Sequence, residues 1–181
     1  ENKHEEKIIN EAIKILTKDK KFEDRYSSDI DGLKNRIYQI KQNKYRLGVI
    51  GVTSSGKSTM INAFLGEQLL PGKTAPSSSQ LVSCFQDSKR QAKIFFADGN
   101  VFEYTDDELT SEIICKYGDE FYNEDNKYKV NHIEITTPAF PFSEDLLLVD
   151  SPGLGAYGFE NHEALTLNSL LPTIDFCIFL T

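Results

Sequence analysis

Apolar residues recur with one period up to about residue 43 and with another from Tyr45 onward. Between residues 5 and 18, Ile8, Ile9, Ala12, Ile13 and Leu16 fall at helical spacing and form one stripe. Between residues 26 and 42, Tyr26, Ile30, Leu33, Ile37 and Ile40 alternate four- and three-residue steps, the seam of a helix that needs a helical partner. The spacing predicts a two-helix arm over residues 1–43. It is either part of a bundle or neck completed by further helices, or a decoration packed locally. The basic run Lys18 to Lys21, with Arg25, is interrupted by Asp19, Glu23 and Asp24 and reads as a solvated helix end.

From Tyr45 short runs of β-formers take over. Strands are predicted at 45–50, 81–85, 92–96, 101–104 and 130–136, with an Asp98-Gly99 turn joining the third to the fourth and Pro138 ending the fifth. Residues 146–149 are a continuous apolar run, the pattern of a strand buried on both faces, and 174–180 is expected to be another buried strand. Residues 59–65 predict a helix stopped by Gly66. Thr105-Asp106-Asp107-Glu108 has the form of a capping box opening a helix that runs to about Tyr117. Residues 118–127 are polar and irregular, and a further helix is expected at roughly 160–170, stopped near Pro172. Strands alternating with helices predict an α/β domain over residues 44–181: a mixed sheet flanked by helices, preceded by the helical arm 1–43.

Composition narrows the function. In 181 residues, 39% apolar and 27% charged, 20 basic side chains face 28 acidic ones, giving a net charge of −8. No basic stripe exists, so nucleic acid is not an expected partner. Cys84, Cys115 and Cys177 are odd in number and scattered among apolar neighbours, which suits small core residues in a reducing compartment. His4, His132 and His162 show no metal-ligand spacing with them. No apolar run approaches the roughly 18 residues of a membrane span. A cytoplasmic location is expected, with room for peripheral attachment to the inner face of the cell membrane.

The chemistry concentrates in Gly51-Val52-Thr53-Ser54-Ser55-Gly56-Lys57-Ser58, a G-x-x-x-x-G-K-S loop between a predicted strand and a predicted helix. That order is what a phosphate-binding P-loop requires. Loop N–H groups and the helix N-terminus face a polyanion, and glycine lets the backbone approach it closely. The expected phosphate contacts are Ser54, Ser55, Gly56, Lys57, Ser58 and Thr59, with Lys57 reaching the β- and γ-phosphates and the Ser58 hydroxyl on Mg²⁺. Leu147-Leu148-Val149-Asp150-Ser151-Pro152-Gly153 is an apolar strand ending in Asp-x-x-Gly. Its Asp150 would hold the metal through water, and the Gly153 N–H would meet the γ-phosphate. Many P-loop ATPases place Glu directly after that Asp, where Ser151 stands here. Between the two motifs, 71–80 is a polar stretch in which Thr74, Ser77, Ser78 and Ser79 could each offer a metal-binding hydroxyl.

Four stretches resemble the bacterial branch of the dynamin-like large GTPases: Gly51 to Gly66, Leu69-Leu70-Pro71-Gly72 with Ala75-Pro76-Ser77-Ser78, Leu148 to Leu154, and His162 through Phe176. Together they cover residues 45–181. The resemblance implies a Mg²⁺-dependent GTPase, holding GTP or GDP, that dimerises with itself across its nucleotide face, forms higher oligomers, and remodels or tethers membranes. It aligns Ser78, with Ser79 one residue away, with the metal-binding residue of the first switch. Ser54 aligns with a loop serine that helps hold a charge-compensating cation, and Thr53 stands where eukaryotic dynamins carry a catalytic Gln. Lys57, Ser54, Thr53 and Ser78 are thus the catalytic candidates, and Ser58, Ser78 and Asp150 the metal ligands. Leu154, after the switch glycine, cannot polarise water, so unaided turnover should be slow. The Asn/Thr-Lys-x-Asp signature that reads guanine is absent from the 181 residues and is expected beyond them. The alternative reading is a nucleotide-gated scaffold with slow or vestigial hydrolysis.

Overall fold

The computed structural model describes residues 2–71, 80–119, 121–151 and 170–181. The chain divides into two compact units, Glu1–Lys44 and Tyr45–Thr181. In the first, α1 (Asn2–Leu16) packs against α3 (Ser27–Gln42), with a short α2 (Lys20–Arg25) between them. Ile9, Ile30 and Ile40 are buried there, while Ile8, expected in the apolar stripe, is exposed. Arg36 Nε donates to Glu5 Oε1 at 2.8 Å and Lys41 pairs with Glu6 at 3.3 Å, so charge pairs reinforce the α1–α3 contact. Asp19 caps α2, and no residue of that helix is buried, as expected of a solvated basic end.

The second unit is a seven-stranded mixed sheet. Its strands are β1 (Tyr45–Gly51), β2 (Leu81–Gln86), β3 (Gln91–Phe96), β4 (Val101–Thr105), β5 (Val130–Thr137), β6 (Leu146–Asp150) and β7 (Phe176–Leu180). Their order in space is β4-β3-β5-β2-β6-β1-β7. β1 runs parallel to β6 and β7, and β2 parallel to β5 but antiparallel to β6. The described α-helices of this unit are α4 (Lys57–Leu65) and α5 (Ser111–Gly118).

Side-chain alternation accounts for the apolar runs. On one face Val49, Val82, Cys84, Ile133, Ile135 and Leu148 join Ile61 and Leu65 of α4 and Ile114 of α5 in the main core. On the other, Ile50, Leu147 and Val149 pack with Leu170, Leu81, Phe85 and Ile174. β6 is therefore apolar from Leu146 to Val149 because both faces are covered, each buried Leu or Val contributing about 2 kcal/mol.

Three expectations change. Thr105 does not open a helix: β4 extends to it, Asp106–Glu108 form a single 3-10 turn, and α5 begins at Ser111, capped by Thr110. The Arg90 guanidinium takes the carbonyls of Asp106 and Leu109, and the Asp106 N–H donates to Arg90 O at 3.1 Å, so those backbone groups are committed elsewhere. β7 is not buried: Phe176 and Phe179 are 60% and 57% exposed, because it is the outermost strand beside β1. Of the cysteines only Cys84 is a core residue, with Cys115 half-buried and Cys177 exposed. Burial pushes the pKa of each thiol up, for Cys84 with help from Asp150. The helix expected at 160–170 lies outside the described residues.

The β1–β7 pairing has a steric condition. A Cβ on Gly51 would lie 2.2 Å from Leu180 O, its register partner's carbonyl. We expect Gly51→Ala to destabilise the domain by roughly 3 kcal/mol, the cost of forcing backbone apart in a packed site. Urea denaturation checks this through a lowered midpoint at unchanged slope.

Candidate nucleotide site

β1 delivers the chain to the loop at the C-terminal edge of the sheet, and α4 begins at Lys57. Within the loop Ser54 has φ 65° and Gly56 has φ 92°. Both are left-handed, a conformation glycine adopts freely and serine rarely, and such turns bring successive backbone N–H groups to one side. Gly56 caps the helix, its carbonyl receiving the first helical bond from Met60 N at 2.9 Å. No acidic residue stands in the first turn of α4, so its free N–H groups and positive dipole end remain available to an anion.

Lys57 is only 3% exposed, and its Nζ donates to Gly51 O at 3.0 Å and Val52 O at 2.8 Å. The ammonium is thus folded into its own loop. Burial holds its pKa below the usual lysine range, while the nearby Asp150 carboxylate opposes that shift. Ser58, next on the helix, is also buried. Asp150 ends β6 level with Val49 of β1, two residues before Gly51 opens the loop, and is 1% exposed. Ser151 N donates to Val49 O at 3.3 Å, holding that strand end in place. The Ser55 and Ser151 hydroxyls are buried with no hydrogen-bond partner among the described residues.

This arrangement fits a magnesium nucleotide. It combines an ammonium and a ring of N–H donors for phosphate with a serine hydroxyl and a carboxylate, the hard oxygen donors that magnesium prefers. Of the other predicted contacts, Ser54 and Thr59 are exposed, and Thr53, Ser55 and Gly56 are half-buried along the loop. Ser78 and Gly153, with Thr74, Ser77, Ser79 and Leu154, lie outside the described residues. Sequence reasoning overlooked Asn62, buried on α4 with four side-chain hydrogen bonds, and Arg90, which links Glu67 to the Asp106–Leu109 turn. A polar residue between Ile61 and Ala63 in an apolar helix was the available signal for the first.

The dynamin family profile matches residues 47–181, from within β1 to the last residue. The chain belongs to the dynamin family. Members of that family are GTPases. The chain is similar to dynamin-like protein 2 of Campylobacter jejuni, 34% identical over 139 residues, covering 76% of this chain and 21% of that protein. It is also similar to the bacterial dynamin-like protein of Nostoc punctiforme, 26% identical over 136 residues, covering 70% of this chain and 19% of that one. Among solved structures it resembles an oligomerised bacterial dynamin pair, described as providing a mechanism for long-range sensing and tethering of membranes. That match has a TM-score of 0.57 and 26% identity and covers 84% of this chain and 22% of the other. The chain thus spans about a fifth of the length of these dynamin relatives.

The lysine is the group whose loss the loop cannot replace. We expect Lys57→Ala to weaken binding of magnesium GTP roughly a hundredfold, the loss of charge-assisted contacts to phosphate. Calorimetric titration measures it, with circular dichroism establishing that the variant is folded.

Proposed function

We propose that this dynamin-family domain is a Mg²⁺-dependent GTP hydrolase whose turnover is coupled, through nucleotide-dependent dimerisation, to tethering or remodelling of membranes. The observation that carries the reading is the Lys57 ammonium held inside a loop with two left-handed residues, with Ser58 beside it and Asp150 at the neighbouring strand end.

The reaction transfers the γ-phosphoryl group to water with no covalent enzyme intermediate, so positioning and charge neutralisation do the catalytic work. Lys57 neutralises the β- and γ-phosphate oxygens, and the N–H groups of residues 54–59 orient them. Ser58, Ser78 and Asp150 would hold a Mg²⁺ ion, which when bound would supply Lewis-acid charge to the phosphates. Gly153 gives the γ-phosphate a backbone N–H. Ser54, exposed on the loop, and Thr53 complete the catalytic set from the side that a second protomer would cover.

Leu154 is apolar and cannot polarise the attacking water, and Thr53 offers a short hydroxyl where eukaryotic dynamins carry a catalytic Gln. A single protomer is therefore poorly equipped, and dimerisation across the nucleotide face supplies the missing environment. Guanine is the base, read by residues beyond 181. The arm 1–43 is part of the helical bundle that transmits dimerisation to the rest of the protein. No helix among the described residues is long and apolar enough to cross a membrane. We place membrane contact peripherally, on the cytoplasmic side, a reading supported by the likeness to a membrane-tethering dynamin pair.

Specific GTPase activity of the full-length protein should rise with protein concentration before reaching a plateau, and rise again with liposomes. A flat profile across a wide dilution series, with GTP still bound, would instead favour the nucleotide-gated scaffold.

A further inference from the structure

We propose that Gln80 is a catalytic residue whose carboxamide holds the water that attacks the γ-phosphate. The proposal deepens the hydrolase reading above and rests on it. Gln80 closes the polar stretch 71–80 and stands at the bend through which the chain enters β2. A long polar side chain at the end of a strand would ordinarily reach into water. Here it is only 6% exposed, and among the described residues nothing forms a hydrogen bond with its carboxamide. A buried amide without a partner is unfavourable, which marks the position as kept for a partner that arrives with the ligand.

Strand register places that residue at the phosphate edge of the sheet. Asp150 is level with Val49 of β1 on one side and with Val82 of β2 on the other. Gly51, where the P-loop opens, lies two residues beyond Val49. Because β2 runs antiparallel to β6, Gln80 lies two residues beyond Val82 in the same direction. Gln80 and Gly51 therefore flank the Asp150 end of β6 at one level, about 10 Å apart at ordinary strand spacing. Val82 itself packs with Ile61 and Leu65 of α4, and two residues is the step that returns a strand to one face. The buried Lys57 and Ser58 open that helix from the P-loop. The site thus has its ammonium and hydroxyl on the β1 side, its carboxylate in the middle and a carboxamide on the β2 side. That carboxamide offers one acceptor and two donors at the end of two methylenes. Its carbonyl accepts from the water while its NH₂ donates to a γ-phosphate oxygen, which sets the water in line with the bond that breaks. Gln80 exchanges no proton. The water oxygen bonds to the γ-phosphorus, the bridging bond breaks with its electron pair leaving on GDP, and the water's proton passes to the phosphate.

The test uses the full-length protein with Gln80→Met and Gln80→Glu, at protein concentrations on the activity plateau. Methionine keeps the length and volume of glutamine without the amide, so a residue that only packs would tolerate it. Glutamate keeps the shape and an acceptor but loses the donor. Ser83→Ala is the control, a buried polar residue of β2 one step past Val82. In Gln80→Met, kcat should fall at least about tenfold while the Kd values for magnesium GTP and GDP stay within about threefold. Affinity for GDP with aluminium fluoride, a mimic of the transferring phosphoryl group, should fall at least about tenfold. The thermal midpoint should hold or rise, because an unpaired buried amide has been removed. Gln80→Glu should lose as much turnover, and Ser83→Ala should keep kcat. Normal turnover in Gln80→Met overturns the proposal. So does a GTP Kd that weakens in step with kcat, or an equal loss of kcat in Ser83→Ala. A wild-type protein that binds GTP and never hydrolyses it defeats the assigned reaction and this proposal together, whereas an active wild type with an equally active Gln80→Met defeats this proposal alone.

Discussion

Lys57 keeps its ammonium almost wholly out of water, and a charge in that position is unfavourable unless nearby groups answer it. Two loop carbonyls and the Asp150 carboxylate do so. Much of the architecture follows from this requirement. Asp150 reaches the loop only if β6 runs parallel to β1 in the observed register, and the two central strands must then be apolar on both faces. The left-handed turns at Ser54 and Gly56 sit on the packed sheet beneath them, with only the serine in a conformation its side chain disfavours. The site is a local sequence made durable by non-local packing.

Buried amides organise what lies between the regular elements. Asn62 secures the departure from α4, and Asn123 secures the irregular segment before β5, each by pairing backbone N–H and C=O groups that no strand or helix reaches. Arg90 does the same with a guanidinium, bridging Glu67 to the turn after β4. Such residues hold segments in place without making them part of the sheet.

The P-loop was legible because all its determinants lie within sixteen consecutive residues, 51–66, and act through local backbone geometry. The strands were legible from alternation, and β6 from its unbroken apolar run. The failures share one cause. Thr105 to Glu108 carries the local pattern of a helix start, yet Arg90, distant in sequence, takes the carbonyls that such a helix would have used. The run before Leu180 has the composition of a central strand, but its place at the end of the strand order leaves Phe176 and Phe179 exposed. Asn62 passed unnoticed because its partners are selected by the fold of the turn after Gly66.

The amino-acid order alone determined the phosphate loop, the alternation that builds two cores and the family to which the domain belongs, since each is written in contacts between near neighbours or in a period along one element. Tertiary structure alone decided which strand lies beside which, how Asp150 comes level with the loop, where α5 begins and which polar side chains are buried as clamps. Those features depend on the meeting of groups far apart in the chain. A local pattern limits the conformations a segment can adopt, and the fold supplies the long-range partners that choose among them.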